Sequence, residues 1–215
     1  MEDIRLFSYK MINDSGFAPN PFHGLMTLAN CKPYMRKSKK IGDWIAGFTS
    51  KRLCGDIVDD ERLIYLMKVT NKVDYYEYWN NPIYYSKKPK LESDIVEYKA
   101  GDNIYKPDNK NGFVQIENKN HTEKDIKRDL SGEYVLVSNC FYYFGSSAIY
   151  IPSDIRPSIP KGQSAHGNRT HNKEKAKKFI NYIQKNCKQG LIGLPHCWPQ
   201  IGRAHVWTPV TSRSR

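Results

Sequence analysis

Between Phe7 and Ser50 the chain sets two acids, an amide, an imidazole, a thiol and two of its cations among a few short apolar runs: Asp14, Asn20, His23, Cys31, Lys32, Arg36 and Asp43. Side chains of these types can move a proton, attack an electrophile or hold a phosphate. His23 lies in Pro-Asn-Pro-Phe-His-Gly, where each proline pushes its predecessor into extended backbone, so a loop at a strand end is expected. With Asp14 and Asn20 close in sequence, His23 is a candidate general base or a reader of a base edge. The competing reading is a packed ring bonded to the main chain. Cys31 adjoins Lys32, and a neighbouring cation favours a nucleophilic thiolate. A partner in His23 or His121 would complete a thiol–imidazole pair. Buried structural cysteines are far commoner, so Cys31 is expected to be structural, as is Asp43 at the start of a strand.

Other constellations are weaker. Asp102 and Asn103 sit in a second Gly-Asp turn, Ala-Gly-Asp-Asn-Ile-Tyr, and read as structural. His121 lies four residues before Asp125 and eight before Asp129, so His121 and Asp125 can meet across one helical turn. One imidazole and two acids make a poor metal site without a second His or Cys, so no metal is expected. The run Lys161–Arg169 is a basic, glycine-containing loop able to hold phosphate through backbone N–H groups and cations. The chain lacks GxxxxGK[ST], GxSxG and HExxH, which removes the common phosphate-hydrolysing and hydrolase signatures. Nothing in the sequence fixes a cofactor or an oligomeric state.

The elements that must position these groups are mostly short strands. Arg5–Ile12, Leu25–Ala29 and Asp43–Thr49 read as strands, and Arg62–Thr70 is apolar nearly throughout, hence central. Arg36–Lys40 reads as a basic loop. Asp74–Trp79 is expected to be a short helix capped by Asp74. Pro82–Asn109 reads as a loop region with strands at Ile95–Tyr98 and Asn103–Tyr105, followed by Phe113–Glu117. Thr122–Leu130 carries a variant capping box with Thr122 and Asp125. Glu133–Phe144 is a strand pair or one bent strand, then comes a strand at Ala148–Ile151 and a surface loop at Ser153–Arg169. Glu174–Cys187 is an amphipathic helix with Ala176, Phe179, Ile180 and Ile183 on one face. The balance is α+β: a single domain with a curled, mostly antiparallel sheet or partial β-barrel and two or three helices.

A net charge of +12, with lysines clustered in three places and 15 Tyr, 8 Phe and 4 Trp, favours a phosphate-bearing partner whose bases can stack on aromatic faces. DNA or a nucleotide is the expected partner, and a membrane is not, because no apolar run approaches the roughly 18–20 residues that span one. Five scattered cysteines without a CxxC pair, and acids at once in MEDIRLFSYK in place of a leader, suggest a cytoplasmic protein. Ile201–Arg215 begins Ile-Gly-Arg-Ala-His-Val-Trp-Thr-Pro-Val-Thr, which resembles the translation of a short-read sequencing adapter. The expected organisation is therefore one domain over residues 1–200 followed by a non-native tail, 201–215.

FSYKM, DSGFAPNPFHG, LMTLA, CKP, GDWIAGF, RLIYLMKVT and YW, continued by GDNIY and LVSNCFYYFG, together resemble the nucleotide modification associated domain 2 family from about Ile4 to Pro195. That resemblance implies a setting in phage and bacterial systems that make or handle modified DNA bases. GDWIAGF, RLIYLMKV and EYW are also similar to PUA-like barrels, including the EVE and ASCH modules, which hold a base in an aromatic-walled pocket. The resulting expectation is a binding module with Tyr9, Trp44 and Tyr105 stacking on a base. Asp14, Asn20 and His23 would read the base edge, and Lys32, Arg36 and Lys161 would meet phosphate. The rival is an enzyme that alters a nucleotide or DNA base, with His23 as acid/base assisted by Asp14 or Cys31.

Overall fold

The computed structural model describes residues 4–54, 61–110, 112–162 and 164–198; the tail 201–215 lies outside them. In chain order the elements are β1 (Leu6–Met11), β2 (Met26–Leu28), α1 (Pro33–Ser38), β3 (Trp44–Thr49), α2 (Lys51–Cys54), β4 (Leu63–Lys68), β5 (Asn71–Asp74) and α3 (Tyr75–Asn80). A 3-10 helix (Pro82–Lys87), α4 (Val96–Lys99), β6 (Tyr105–Asp108), β7 (Gly112–Gln115), a 3-10 turn (Glu123–Asp125) and α5 (Ile126–Leu130) follow. The chain continues through β8 (Tyr134–Ser138), β9 (Cys140–Tyr143), β10 (Asn168–Arg169), α6 (Lys173–Asn186) and β11 (Gly190–Leu191).

The strands form open, mixed sheets and close no barrel among the described residues. The main sheet runs β10-β1-β3-β4-β9-β11, with β1 parallel to β3 and β9 parallel to β11, and the other neighbours antiparallel. A second sheet, β2-β8-β5, is antiparallel, and β6 with β7 makes a hairpin. β4 lies in the middle of the main sheet, where its apolar run predicts. Asn139 alone separates β8 from β9, so the chain passes there from the small sheet into the main one.

Alternation along the strands gives each sheet two buried faces. One face of the main sheet (Leu6, Trp44, Ala46, Phe48, Leu66) packs against Ala176, Phe179, Ile180 and Ile183 of α6. Its other face (Tyr9, Met11, Ile45, Tyr65, Met67) meets Met26, Leu28 and Leu136 of the small sheet and Met35 of α1. All four methionines after Met1 lie in this inter-sheet layer. The far face of the small sheet, Val73, Val135 and Val137, packs on Tyr75, Tyr78, Ile104 and Tyr105. Gly47 admits the ring of Tyr65 to this layer: a Cβ there would lie 2.3 Å from it.

Several local expectations change. Arg36–Ser38 is helical and only Lys39 and Lys40 follow as loop; Pro33 opens α1, where its fixed φ suits the first turn and its missing N–H is no loss. Ile95 caps α4 and Val96–Tyr98 belong to it rather than to a strand, and the strand expected at Asn103–Tyr105 begins at Tyr105. Ala148–Ile151 contributes one isolated bridge, Ile149 to Leu63. The helices number more than two or three, but among the described residues only α6 exceeds six residues. Asp74 caps α3 by accepting from the Glu77 N–H at 2.7 Å, and the Thr122–Asp125 box forms. No helix among the described residues is long and apolar enough to cross a membrane.

Candidate functional site

A cavity of about 520 Å³ opens beside the inter-sheet layer, lined among others by Tyr9, Phe17, Cys31, Lys32, His121 and Arg128. The chain leaves β2, and at Cys31 (φ 57°) and Lys32 (φ 40°) it enters the left-handed region before Pro33 starts α1. Each such non-glycine residue costs on the order of 1 kcal/mol, and strain of this kind concentrates at functional sites. The turn is held from outside, because the Cys31 N–H donates to the Asp129 carboxylate at 3.0 Å.

Three side chains then fall into line. Cys31 Sγ lies 3.4 Å from His121 Nε2, and His121 Nδ1 lies 2.7 Å from Asp129 Oδ2. Asp129, on α5, is fully buried, and its Oδ2 also accepts from the Tyr105 hydroxyl at 2.8 Å. Burial alone would raise the Asp129 pKa, but the bonds from His121, Tyr105 and the Cys31 N–H outweigh it and hold the carboxyl below its ordinary value. Burial pulls the His121 pKa down, while Asp129 and Cys31 pull harder the other way and push it up to about 9. The ring therefore keeps its proton near neutral pH. Its loop is fixed by the Asn118 side chain, which accepts from the His121 N–H at 2.7 Å, and by Phe17 packed edge-on at 4.9 Å.

Lys32 projects over the Tyr9 ring, with Nζ 4.7 Å from its centroid, and donates to the Ser164 carbonyl at 3.2 Å. Burial lowers its pKa. Two other cations in the lining already face acids: Lys10 pairs with Glu61 at 2.6 Å and Arg128 with Asp125 at 2.9 Å. Among the described residues, Lys32 has no carboxylate partner. The thiol, imidazole and acid with a cation at their side can support attack by sulfur on an electrophile, with proton delivery from the ring. Among the described residues, no cluster of three or more His, Cys, Asp or Glu is placed to hold a metal ion.

Of the residues singled out in the sequence, Tyr9, Cys31, Lys32 and His121 line the cavity. Asp14 lies just behind it, between the lining residues Asn13 and Ser15. Its buried carboxylate accepts from the Tyr143 hydroxyl and from His196 Nδ1 at 2.8 Å, so it does not serve His23. His23 is elsewhere, stacked on Tyr98 at 4.5 Å, with burial and then Lys87 lowering its pKa. Asn20 is fully buried, its amide donating to the Ala100 carbonyl and its oxygen accepting from Lys87. Trp44 faces α6 on the other side of the main sheet, since it aligns with Leu6 rather than Tyr9. Tyr105 offers no stacking face; it is buried edge-on to Tyr75 and bonded to Asp129. Arg36 is fully buried, its donors bonded to carbonyls of Cys31, Asp129 and Tyr134 and to the Tyr75 hydroxyl, so it is not a phosphate contact. Lys161 is exposed near the rim, its carbonyl accepting from Lys10. Asp43 and Asp102 are structural as expected, bound to Arg5 and to Thr27 with Tyr78.

The Cys31–His121 pair is one of the options the sequence offers, but Asp129 as its partner carries no local signal, since helical spacing matches His121 to Asp125. Asp125 instead caps its own helix by accepting from the Thr122 N–H at 2.9 Å, which leaves Asp129 to face the imidazole.

The family model described as nucleotide modification associated domain 2 matches residues 3–201. No curated protein and no solved structure matches the chain. The chain belongs to the nucleotide modification associated domain 2 family.

Proposed function

Taking that membership as the premise, we propose that the protein is a thiol-dependent enzyme that acts on a nucleotide-type substrate, with Cys31 as the nucleophile. The observation that carries this reading is the line of Cys31 Sγ, the His121 ring and the Asp129 carboxylate ending at the cavity. Its volume falls within the roughly 300–1,000 Å³ of small-molecule sites. Among the described residues the lining contains Lys10, Lys32 and Arg128 and no carboxylate, which suits an anionic ligand. Lys32 is the cation best placed to meet a phosphate. The exposed Tyr34 ring offers a face to a flat ligand, and the buried rings of Tyr9 and Phe17 contribute to the lining.

In this mechanism sulfur, its proton already passed to His121, attacks an electrophilic carbon of the substrate, and the new C–S bond forms as the bond to the leaving group or the carbon's π bond breaks. His121, protonated at neutral pH, gives its proton to the atom that leaves or gains charge. Asp129 holds the ring in the orientation that aims Nε2 at the reaction. The base contact expected of Tyr9 and the phosphate contact expected of Lys32 stay with them, while Tyr34 and Phe17 take the places given to Trp44 and Tyr105. The acid/base role passes from His23 to His121.

The test is intact-protein and peptide mass spectrometry after incubation with deoxynucleotides and with single-stranded oligonucleotides carrying natural or modified bases. The expected result is an adduct on Cys31 with at least one of them, absent in Cys31→Ala. Lys32→Gln should weaken binding of the phosphorylated ligand by about tenfold while sparing the corresponding nucleoside. Tight binding of a nucleotide in the cavity with neither adduct nor turnover, unchanged in Cys31→Ala, would return the protein to the class of binding modules.

A further inference from the structure

We infer that Arg36 is a positioning residue of the thiol site, one guanidinium that fixes the main chain at Cys31 and at Asp129 relative to each other. The inference rests on the thiol reading above. Cys31 follows a strand of the small sheet and Asp129 sits on α5, 98 residues further on in sequence. Arg36 Nε donates to the Cys31 carbonyl at 2.8 Å, and Nη2 donates to the Asp129 carbonyl. Nη1 donates to the Tyr75 hydroxyl at 2.7 Å and to the Tyr134 carbonyl at 2.8 Å. The Tyr75 hydroxyl in turn donates to the Ala29 carbonyl at 2.6 Å. The segments on both sides of the cavity thus converge on one rigid cation.

The bond to the Cys31 carbonyl sets the plane of the peptide joining two left-handed residues, and so the direction in which Sγ leaves the backbone. Among the described residues no carboxylate pairs with this guanidinium; main-chain carbonyls and one phenol satisfy it. A buried cation of this kind adds little stability over apolar packing of the same volume. What it does supply is a planar fork of fixed donors, which an ammonium on a flexible stem does not reproduce. The fork is also braced from behind. Gly132, in the turn after α5, has no room for a side chain, since a Cβ there would lie 2.5 Å from Arg36 Cζ and Nη1. Gly132→Ala therefore presses on the guanidinium without removing a donor or touching the cavity.

The experiment follows alkylation of Cys31 by iodoacetamide in the folded full chain, resolved by peptide mass spectrometry across roughly pH 5 to 10. The ring titration of His121 is followed by NMR in parallel. Arg36→Lys and Gly132→Ala should each slow alkylation at neutral pH on the order of tenfold and move the His121 titration back toward its ordinary range. In Arg36→Ala, millimolar ethylguanidinium should restore the alkylation profile, which a merely structural loss would not allow. His121→Asn separates the two levels of argument. If it leaves Cys31 alkylation unchanged, the thiol–imidazole reading itself fails. If it alters alkylation while Arg36→Lys and Gly132→Ala keep both wild-type profiles, or if ethylguanidinium restores nothing to Arg36→Ala, the inference about Arg36 alone is overturned.

Discussion

Two clusters of polar side chains flank residues 20–31, and their sequence signatures look alike. In the first, Lys87 is buried with its ammonium bonded to three carbonyl oxygens, of Asn20, Phe22 and Leu25, and to the Asn20 side chain. Around it Asp102 accepts from Thr27 and Tyr78, Asn30 donates to the Asp102 carbonyl, and Asn103 donates to the Tyr78 carbonyl. None of these groups lines the cavity. In the second, Asp129 is equally enclosed, but the groups it holds, His121 and Cys31, face open space with Lys32 beside them. A polar group whose bonds all go to the protein holds the chain in place. Chemistry needs a group that is held firmly on one side and faces the ligand on the other.

The contrast can be broken by substitution. Cys31→Ser should lower turnover by about 10³-fold or more while changing the unfolding free energy by less than about 1 kcal/mol. Lys87→Met should do the reverse, since four acceptors lose their donor. It is expected to cost about 3–5 kcal/mol in a denaturant melt, with the Cys31 alkylation rate unchanged where the protein remains folded. A Lys87 variant that stayed stable but lost thiol reactivity would erase the distinction between the two clusters.

A pH series sharpens it further. Folding raises the His121 pKa from 6.5 to about 9, so the protonated ring stabilises the native state. That stabilisation is complete below about pH 6.5 and is lost as the pH climbs through 9. Unfolding free energies measured across this window should fall in the wild type and fall less in His121→Asn; equal slopes would remove the claim that Asp129 holds an imidazolium. The smallest effect belongs to His23→Ala, within about 1 kcal/mol in stability and without effect on Cys31 alkylation. Loss of turnover in that variant, with Cys31→Ser still active, would invert the comparison.

The strands and α6 were legible because burial imposes a period on them. Leu63–Lys68 is apolar enough to be central, and Ala176, Phe179, Ile180 and Ile183 recur at helical spacing. The site was legible only in its ingredients. Cys31, Lys32, Tyr9 and His121 stand out by residue type, but 90 residues separate the thiol from the imidazole and no local pattern encodes their meeting. Arg36 misled because charges in a lysine-rich run are usually solvated, whereas this guanidinium reaches inward from the buried side of a helix that proline starts. His23 misled because a loop histidine between proline and glycine has the sequence of an exposed residue, and Tyr98, 75 positions away, covers it.

The methionine layer between the sheets bears on how the cavity meets its ligand. Tyr9 belongs to the main sheet and Cys31 follows a strand of the small one, so the width of the opening depends on how these two sheets lie against each other. Met11, Met26, Met35 and Met67 loosen that contact, setting unbranched, polarisable chains that change rotamer readily among its branched and aromatic residues. The α6 side is packed from branched and aromatic residues with no methionine among them. The sheets should therefore slide by fractions of an ångström on the cavity side while the helix side stays rigid, letting the opening adjust to rings of different thickness. Faster methyl relaxation at these four methionines than at Ile180 and Ile183, damped when the cavity is filled, would be the signature of that compliance.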